Sequence, residues 1–302
     1  MPTLAEYIRD ARHRLEGAGI PADEAALDAD LLARHALGGW ERGRLLASMR
    51  DEAPGTFPQA YERLVGRRAR REPAAYIMGV REFWGLDIDV TPDTLIPRPE
   101  TETLVEEALS RTSPGAIRIA DVCTGSGCIA VALARWLPRA RVIATDRSAA
   151  ALLVARRNAI RHGVVDRLDC VRTDVLDGLV GPFDLVVSNP PYVPVPDLPA
   201  AQPEVRDFEP RLALEGDQDG LAVIRHLVPD AAARLRPGGW LIMEFGAGQA
   251  AAIAAVVAAE PRLRLDAVLD DLAGIPRVAV AQAFTRDVPH PMSPVPCPMP
   301  QG

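Results

Sequence analysis

Two short runs in this sequence have residue types and spacing suited to chemistry. The first is Ser188-Asn189-Pro190-Pro191-Tyr192. An amide or amino nitrogen is a poor nucleophile because its lone pair is delocalised. A site that alkylates it must hold the N–H hydrogens with acceptors and leave the lone pair aimed at the electrophile. The side-chain oxygen of Asn189 and the carbonyl of Pro190 supply two acceptors, and proline has no N–H to compete. Tyr192 offers a flat face for a planar amide or base. A loop merely punctuated by prolines would account for Pro190 and Pro191, but not for the flanking asparagine and tyrosine.

The second run is Asp121-Val122-Cys123-Thr124-Gly125-Ser126-Gly127-Cys128-Ile129-Ala130. Small residues in such a turn let the backbone approach a ligand closely. Asp146 ends the next apolar segment, where a carboxylate can accept both hydroxyls of a ribose. Ala130 stands where a dinucleotide fingerprint has its third glycine; alanine is tolerated there, so this turn alone leaves NAD open. Together the two runs point to S-adenosylmethionine, whose sulfonium is a methyl donor. Such a reaction needs no metal and no covalent enzyme intermediate, and rests on in-line positioning and electrostatics.

Both runs must be held at strand ends. From residue 117 apolar segments alternate with helical ones: strands at 117–122, 142–145, 168–172, 183–188, 240–245 and 277–281. Ser148 caps a helix reaching Gly163. This alternation predicts a parallel sheet covered on both faces. Ahead of it, residues 1–80 read as a small helical domain. Thr3 and Glu6 form a capping box, with Leu4, Ile8, Ala11 and Leu15 on one face. Pro21 opens a second helix through Leu27, Leu31 and Leu32 toward Gly38-Gly39. A third follows Pro58 with Tyr61, Leu64 and Val65, and ends in Arg67, Arg68, Arg70 and Arg71. That basic run reads as a solvated helix end favoured by the macrodipole. Residues 81–96 read as a β-hairpin linker turned at Pro92-Asp93, residues 97–286 as the catalytic domain, and the proline-rich 287–302 as a disordered tail.

Composition narrows the class. The chain has 302 residues, 48% of them hydrophobic and 25% charged, which excludes wholesale disorder. Its 34 basic residues, all arginine, against 41 acidic ones give a net charge of −7. That balance argues against a nucleic-acid-coating protein. Cys123, Cys128, Cys170 and Cys297 are too few and scattered for a disulfide framework or a zinc site. No run is apolar enough to span a bilayer and no signal peptide opens the chain, so a cytoplasmic protein is expected.

The chain resembles the N5-glutamine methyltransferases that act on peptide chain release factors. The resemblance rests on Thr94 to Glu102 (TLIPRPETE), the run from Asp121 to Ala130, Asp146, Val187 to Tyr192 (VSNPPY), Phe208-Glu209-Pro210-Arg211, and Asp271 with Gly274, Arg277 and Val278. It implies a Rossmann-like class I methyltransferase sheet with a small N-terminal helical domain joined by a β-hairpin. Cys123, Thr124, Gly125, Ser126, Gly127 and Asp146 would hold S-adenosylmethionine, with Asp174 and Val175 near its adenine. Asn189, Pro190 and Tyr192 would be catalytic, clamping with Pro191 the glutamine of a release factor's Gly-Gly-Gln loop, with Arg98 also on the substrate side. The helical domain would grip the rest of that protein, and the enzyme would act as a monomer.

Two residues depart from the family. Cys123 stands where many relatives have glycine; it is small enough for the turn and reads as packing rather than as a nucleophile. Val175 stands where some have an aromatic, removing a stacking partner for adenine. A glutamine methyltransferase acting on a ribosomal protein shares the Cys-Thr-Gly-Ser-Gly-Cys turn but usually breaks the Arg98-Pro99-Glu100 segment. An adenine-N6 nucleic-acid methyltransferase would want a basic groove. A non-catalytic cofactor-binding scaffold would have lost Asn189 or Asp146.

Overall fold

The computed structural model describes residues 2–113 and 115–284. The expected tail at 287–302, the end of the catalytic stretch at 285–286 and Cys297 lie outside the described residues.

The chain begins with helices α1 (Leu4–Gly17), α2 (Ala22–Ala36), α3 (Arg42–Ala47), α4 (Phe57–Arg68) and α5 (Ala74–Met78). The capping box forms: the Glu6 N–H donates to Thr3 Oγ1 and the Thr3 N–H to the Glu6 carboxylate at 2.8 Å. Leu4, Ile8, Ala11 and Leu15 are buried in one cluster with Leu32, Phe57 and Tyr61. On α2 the buried face is Ala25, Asp28, Ala29, Leu32 and Ala33, so Leu27 points to solvent. Helices α3 and α5 are too short to show a periodic stripe, and the sequence did not reveal them.

The arginine run at the end of α4 is not a solvated helix end. Arg68 is only 1% exposed. Its guanidinium donates to Asp28 at 2.6 Å, to Glu24 at 2.7 Å and to Glu204, far along the chain, at 2.7 Å. Arg71 reaches the other Glu204 oxygen at 2.6 Å. Three carboxylates around one planar fork satisfy a charge that could not otherwise be buried.

A two-stranded hairpin follows, β1 (Val80–Phe83) and β2 (Leu86–Asp89). It turns at Trp84-Gly85, not at Pro92-Asp93. Both turn residues have positive φ, 54° and 72°, the conformation that two-residue hairpin loops require. Phe83 and Ile88 bury one face of the hairpin against the larger domain. Asn158 fastens it: its side chain accepts the Asp89 N–H and donates to the carbonyls of Asp89 and Ser126.

After α6 (Thr101–Ser110) come β3 (Arg118–Val122), α7 (Cys128–Trp136), β4 (Arg141–Asp146), α8 (Ala149–Arg161), β5 (Leu168–Arg172) and β6 (Phe183–Ser188). Helix α9 (Pro203–Phe208) lies in the connection to α10 (Ala222–Arg234), β7 (Leu235–Glu244), α11 (Ala250–Ala258), β8 (Leu263–Asp270) and β9 (Pro276–Ala283). The seven-stranded sheet has the order β5-β4-β3-β6-β7-β9-β8. It is parallel except for β9, which runs antiparallel to both β7 and β8. The sequence reading made the sheet wholly parallel and missed β8. A register shift between Leu265 and Ala267 breaks the alternation of β8, and its edge position leaves it only partly buried. Alternate residues of the central strands feed two cores. Ile119, Leu185 and Ile242 face α6 and α7, whereas Ala120, Val186 and Leu241 face α10 and α11.

Strand β3 pairs with β4 on one side and β6 on the other. The order in which strands are added therefore reverses between β3 and β6, which run parallel, and the crevice beyond their carboxyl ends is the expected place for a ligand.

Candidate active site

Val122 and Ser188, the last residues of β3 and β6, pair directly, and the Ser188 hydroxyl donates to the Val122 carbonyl at 2.8 Å. This register sets the glycine turn after β3 beside the Asn-Pro-Pro-Tyr run after β6. A cleft of about 990 Å³, counted to its open mouth, lies across both.

The turn is shaped by left-handed residues: Cys123 (φ 59°), Gly125 (φ 55°) and Gly127 (φ 79°). The two glycines answer different demands. A side chain on Gly125 would stand in open space, so backbone conformation alone asks for glycine there. A Cβ on Gly127 would lie 2.9 Å from that of Ala155, so this glycine lets α7 start close against α8. Cys123 adopts a left-handed conformation that glycine takes without strain. Burial, and then the carboxylates of Asp146, Asp121 and Asp174, hold its thiol far above the usual range. The thiolate a nucleophile needs is suppressed.

Beneath the turn Asp121 is fully buried. Its Oδ2 accepts the Thr124 hydroxyl at 2.5 Å and the Ala130 N–H at 3.1 Å, while Oδ1 has no protein partner. Burial pushes its carboxyl up to about 7, against those two hydrogen bonds. Asp146, at the end of β4, accepts the Gly125 N–H on Oδ2 at 3.0 Å and the Ser148 N–H on Oδ1 at 2.8 Å. Burial raises its carboxyl too, and these amides oppose the rise.

Of the residues singled out in the sequence, Cys123, Thr124, Gly125, Ser126, Asp146, Asp174, Asn189 and Pro191 line the cleft. Gly127, Pro190, Arg98, Val175 and Tyr192 are not in its lining. Val175, at φ 50°, is buried on the α10 side of the sheet, and its carbonyl takes the Thr145 hydroxyl at 2.9 Å. Tyr192 turns its hydroxyl away to Glu244 at 3.0 Å. Arg98 donates to both oxygens of the buried Glu209 at 2.7 Å. That pair ties together two stretches that both line the cleft, Leu95 and Pro97 beside Arg98, and Pro210, Leu212 and Ala213 after Glu209.

Thr101 also lines the cleft and was assigned no role from the sequence, although it stands inside the Thr94–Glu102 run. Asn189 donates to its Oγ1 at 3.1 Å. Nothing local in the sequence marked Glu244, which lies behind Thr101 at the end of β7.

Residues 6–79 match the family model described as PrmC N-terminal domain, and residues 100–197 that described as Methyltransferase small domain. Among curated proteins, the release factor glutamine methyltransferase of Bradyrhizobium diazoefficiens is 42% identical over 293 residues, covering 93% of this chain and 96% of that protein. The chain belongs to the release factor glutamine methyltransferase family. The family member from Geobacter sulfurreducens is 54% identical over 188 residues, a match spanning 62% of this chain and 65% of that protein. Among solved structures, a methyltransferase from Pyrococcus furiosus superposes with a TM-score of 0.52 at 18% identity, covering 73% of this chain and 99% of that one. At that identity the likeness is one of fold, the class I methyltransferase sheet that the family's motifs implied. Among the described residues no helix is long and apolar enough to cross a membrane.

Proposed function

We propose that this enzyme transfers a methyl group from S-adenosylmethionine to the side-chain amide nitrogen of the glutamine in the Gly-Gly-Gln loop of a peptide chain release factor. The observation that carries the proposal is the direct pairing of Val122 with Ser188, which sets a nucleoside-type turn beside an amide-holding run. The cleft fits the cofactor. Asp93, Asp146, Asp174 and Glu215 line it against the single guanidinium of Arg147, an acidic surround for a cationic ligand. The same acidity disfavours a nucleic-acid phosphate backbone.

S-adenosylmethionine supplies an electrophilic methyl on sulfur. Asp146 offers its remaining lone pairs to the ribose hydroxyls while its other bonds keep the glycine turn in shape. Asn189 and the Pro190 carbonyl accept from the glutamine NH2, so that its lone pair is directed at the methyl. Burial of this arrangement in a partly closed cleft strengthens each contact. The helical domain, whose residues do not line the cleft, serves the protein substrate.

The test is to incubate the enzyme with methyl-labelled cofactor and purified release factor, then map the modified residue by mass spectrometry. Label on the Gly-Gly-Gln glutamine is expected. Label on a ribosomal protein or on adenine, with none on the release factor, would overturn the assignment.

A further inference from the structure

Asn189 is held from behind by side chains from three other places in the chain. Its Nδ2 donates to Thr101 Oγ1 at 3.1 Å, the Thr101 hydroxyl donates to Glu244 Oε2 at 2.6 Å, and the Tyr192 hydroxyl donates to Glu244 Oε1 at 3.0 Å. Thr101 begins α6, Glu244 ends β7, and Tyr192 follows the proline pair. Thr101 and Glu244 are each 1% exposed.

With Glu244 ionised, the direction of every bond in this chain follows: a carboxylate only accepts, so both hydroxyls give their protons to Glu244. A hydroxyl has one proton, so Thr101, having spent it, can only accept from Asn189. An asparagine amide has its oxygen on one side and its NH2 on the other. With the NH2 drawn to Thr101, Oδ1 is left free of that contact and available to a ligand in the cleft that Asn189 lines.

We infer that Glu244, acting through Thr101, is a positioning residue that fixes which end of the Asn189 amide meets the substrate nitrogen, with Tyr192 as the second donor that keeps Glu244 aimed. The inference rests on the amide-methylation reading proposed above. Without the brace the Asn189 amide can rotate by half a turn and present hydrogens to a nitrogen whose own hydrogens need acceptors. Turnover then falls although cofactor and protein still bind. The Tyr192 hydroxyl accordingly acts through Glu244, at one remove from the substrate.

Thr101→Val keeps shape and volume but neither accepts nor donates. Expected is a drop in kcat of about ten-fold, less than the loss of a direct donor, with cofactor Kd and release-factor KM within about two-fold. Thr101→Ser should restore most of the turnover. Wild-type kcat in Thr101→Val would overturn the inference. So would equal losses of kcat and cofactor affinity that serine does not rescue, since those mark a structural role. NMR of the ¹⁵N-asparagine-labelled wild-type enzyme needs no variant to fold. One Asn189 side-chain proton should exchange more slowly than its geminal partner, and exchange of both at the rate of a free amide would overturn the brace. If the wild type places no methyl on release factor, the functional reading fails while the exchange measurement still decides the brace.

Discussion

Asp146 and Gly125 are joined across the cleft floor, the glycine N–H donating to the aspartate Oδ2 at 3.0 Å. The carboxylate proposed to hold the ribose therefore also shapes the turn that receives the rest of the cofactor. Asp146→Ala should weaken S-adenosylmethionine binding by about 1.5–3 kcal/mol, the range for hydrogen bonds to a charged group. Asp146→Asn should lose less, because one acceptor oxygen remains for either Gly125 or Ser148. Isothermal calorimetry measures both, and unchanged affinity in Asp146→Ala removes the residue from the ribose site.

Asn189→Ala removes an acceptor from the reacting nitrogen. Loss of one preorganised partner costs about 10²–10³ in kcat, or about 2.7–4 kcal/mol. Asn189→Asp keeps an oxygen toward the substrate but sets a second one against Thr101, whose only proton is committed to Glu244. It also loses the remaining N–H that could hold the substrate carbonyl. Its turnover should fall about as far as that of the alanine variant. Single-turnover kinetics with methylation mapping check this; wild-type rates in Asn189→Ala would exclude Asn189 from the chemistry, and wild-type rates in Asn189→Asp would make it a pure acceptor.

The helical domain should be dispensable for the cofactor and necessary for the protein substrate. A chain beginning at Phe83 would also lose Tyr76, whose ring is in the core of the larger domain and whose hydroxyl donates to the Thr94 carbonyl at 2.5 Å. The cleaner truncation begins at Pro73. It should bind cofactor yet show a much lower kcat/KM on intact release factor, with circular dichroism confirming that it is folded. Equal kcat/KM for full-length and truncated enzyme would give the helices another role.

Arg68→Met leaves Asp28, and half of Glu204's pairing, without a counter-ion in a dry site. Breaking such a buried cluster costs about 3–5 kcal/mol. Urea denaturation should show the loss, and a change under about 1 kcal/mol would mean that water reaches the cluster.

Stability should fall as pH rises from about 4 to about 7. Burial raises the carboxyls of Asp121 (to about 7), Asp146, Glu209 and Glu244 in the folded protein. Across that window the folded state therefore holds more protons than the unfolded chain, and unfolding free energy has a negative slope with pH. Carboxyls lowered by arginines or backbone amides, such as Glu204 and Asp271, act in the opposite sense and matter mainly below pH 4. Asp121→Asn should flatten the slope in denaturation curves taken at pH 5 and pH 8. An identical slope would mean that Asp121 titrates normally.

What the sequence made legible was local. The turn after β3, Asp146 at the end of β4 and the run after β6 each announce themselves within ten residues, and parallel pairing does the rest. What escaped it depends on partners far along the chain. Thr101 and Glu244 are separated by 143 positions, and neither has a neighbour in sequence that advertises the contact. The hairpin turn was hidden because Phe83-Trp84-Gly85-Leu86 reads on as one strand-like segment, and the positive φ of Trp84 and Gly85 breaks it. Arg68 looked like a surface charge because its burial is decided 136 residues later, at Glu204.

That interval also sets an order of events on the ribosome. The helical segment is translated well before Glu204, and chains of this kind fold amino-terminal part first. During that wait Arg68 already has Asp28 and Glu24 from its own helices, so its charge need not stay bare or seek a wrong partner. The nascent helical domain can settle alone and keep one guanidinium nitrogen ready, and Glu204 latches onto it later, when the chain beyond the central strands has been made.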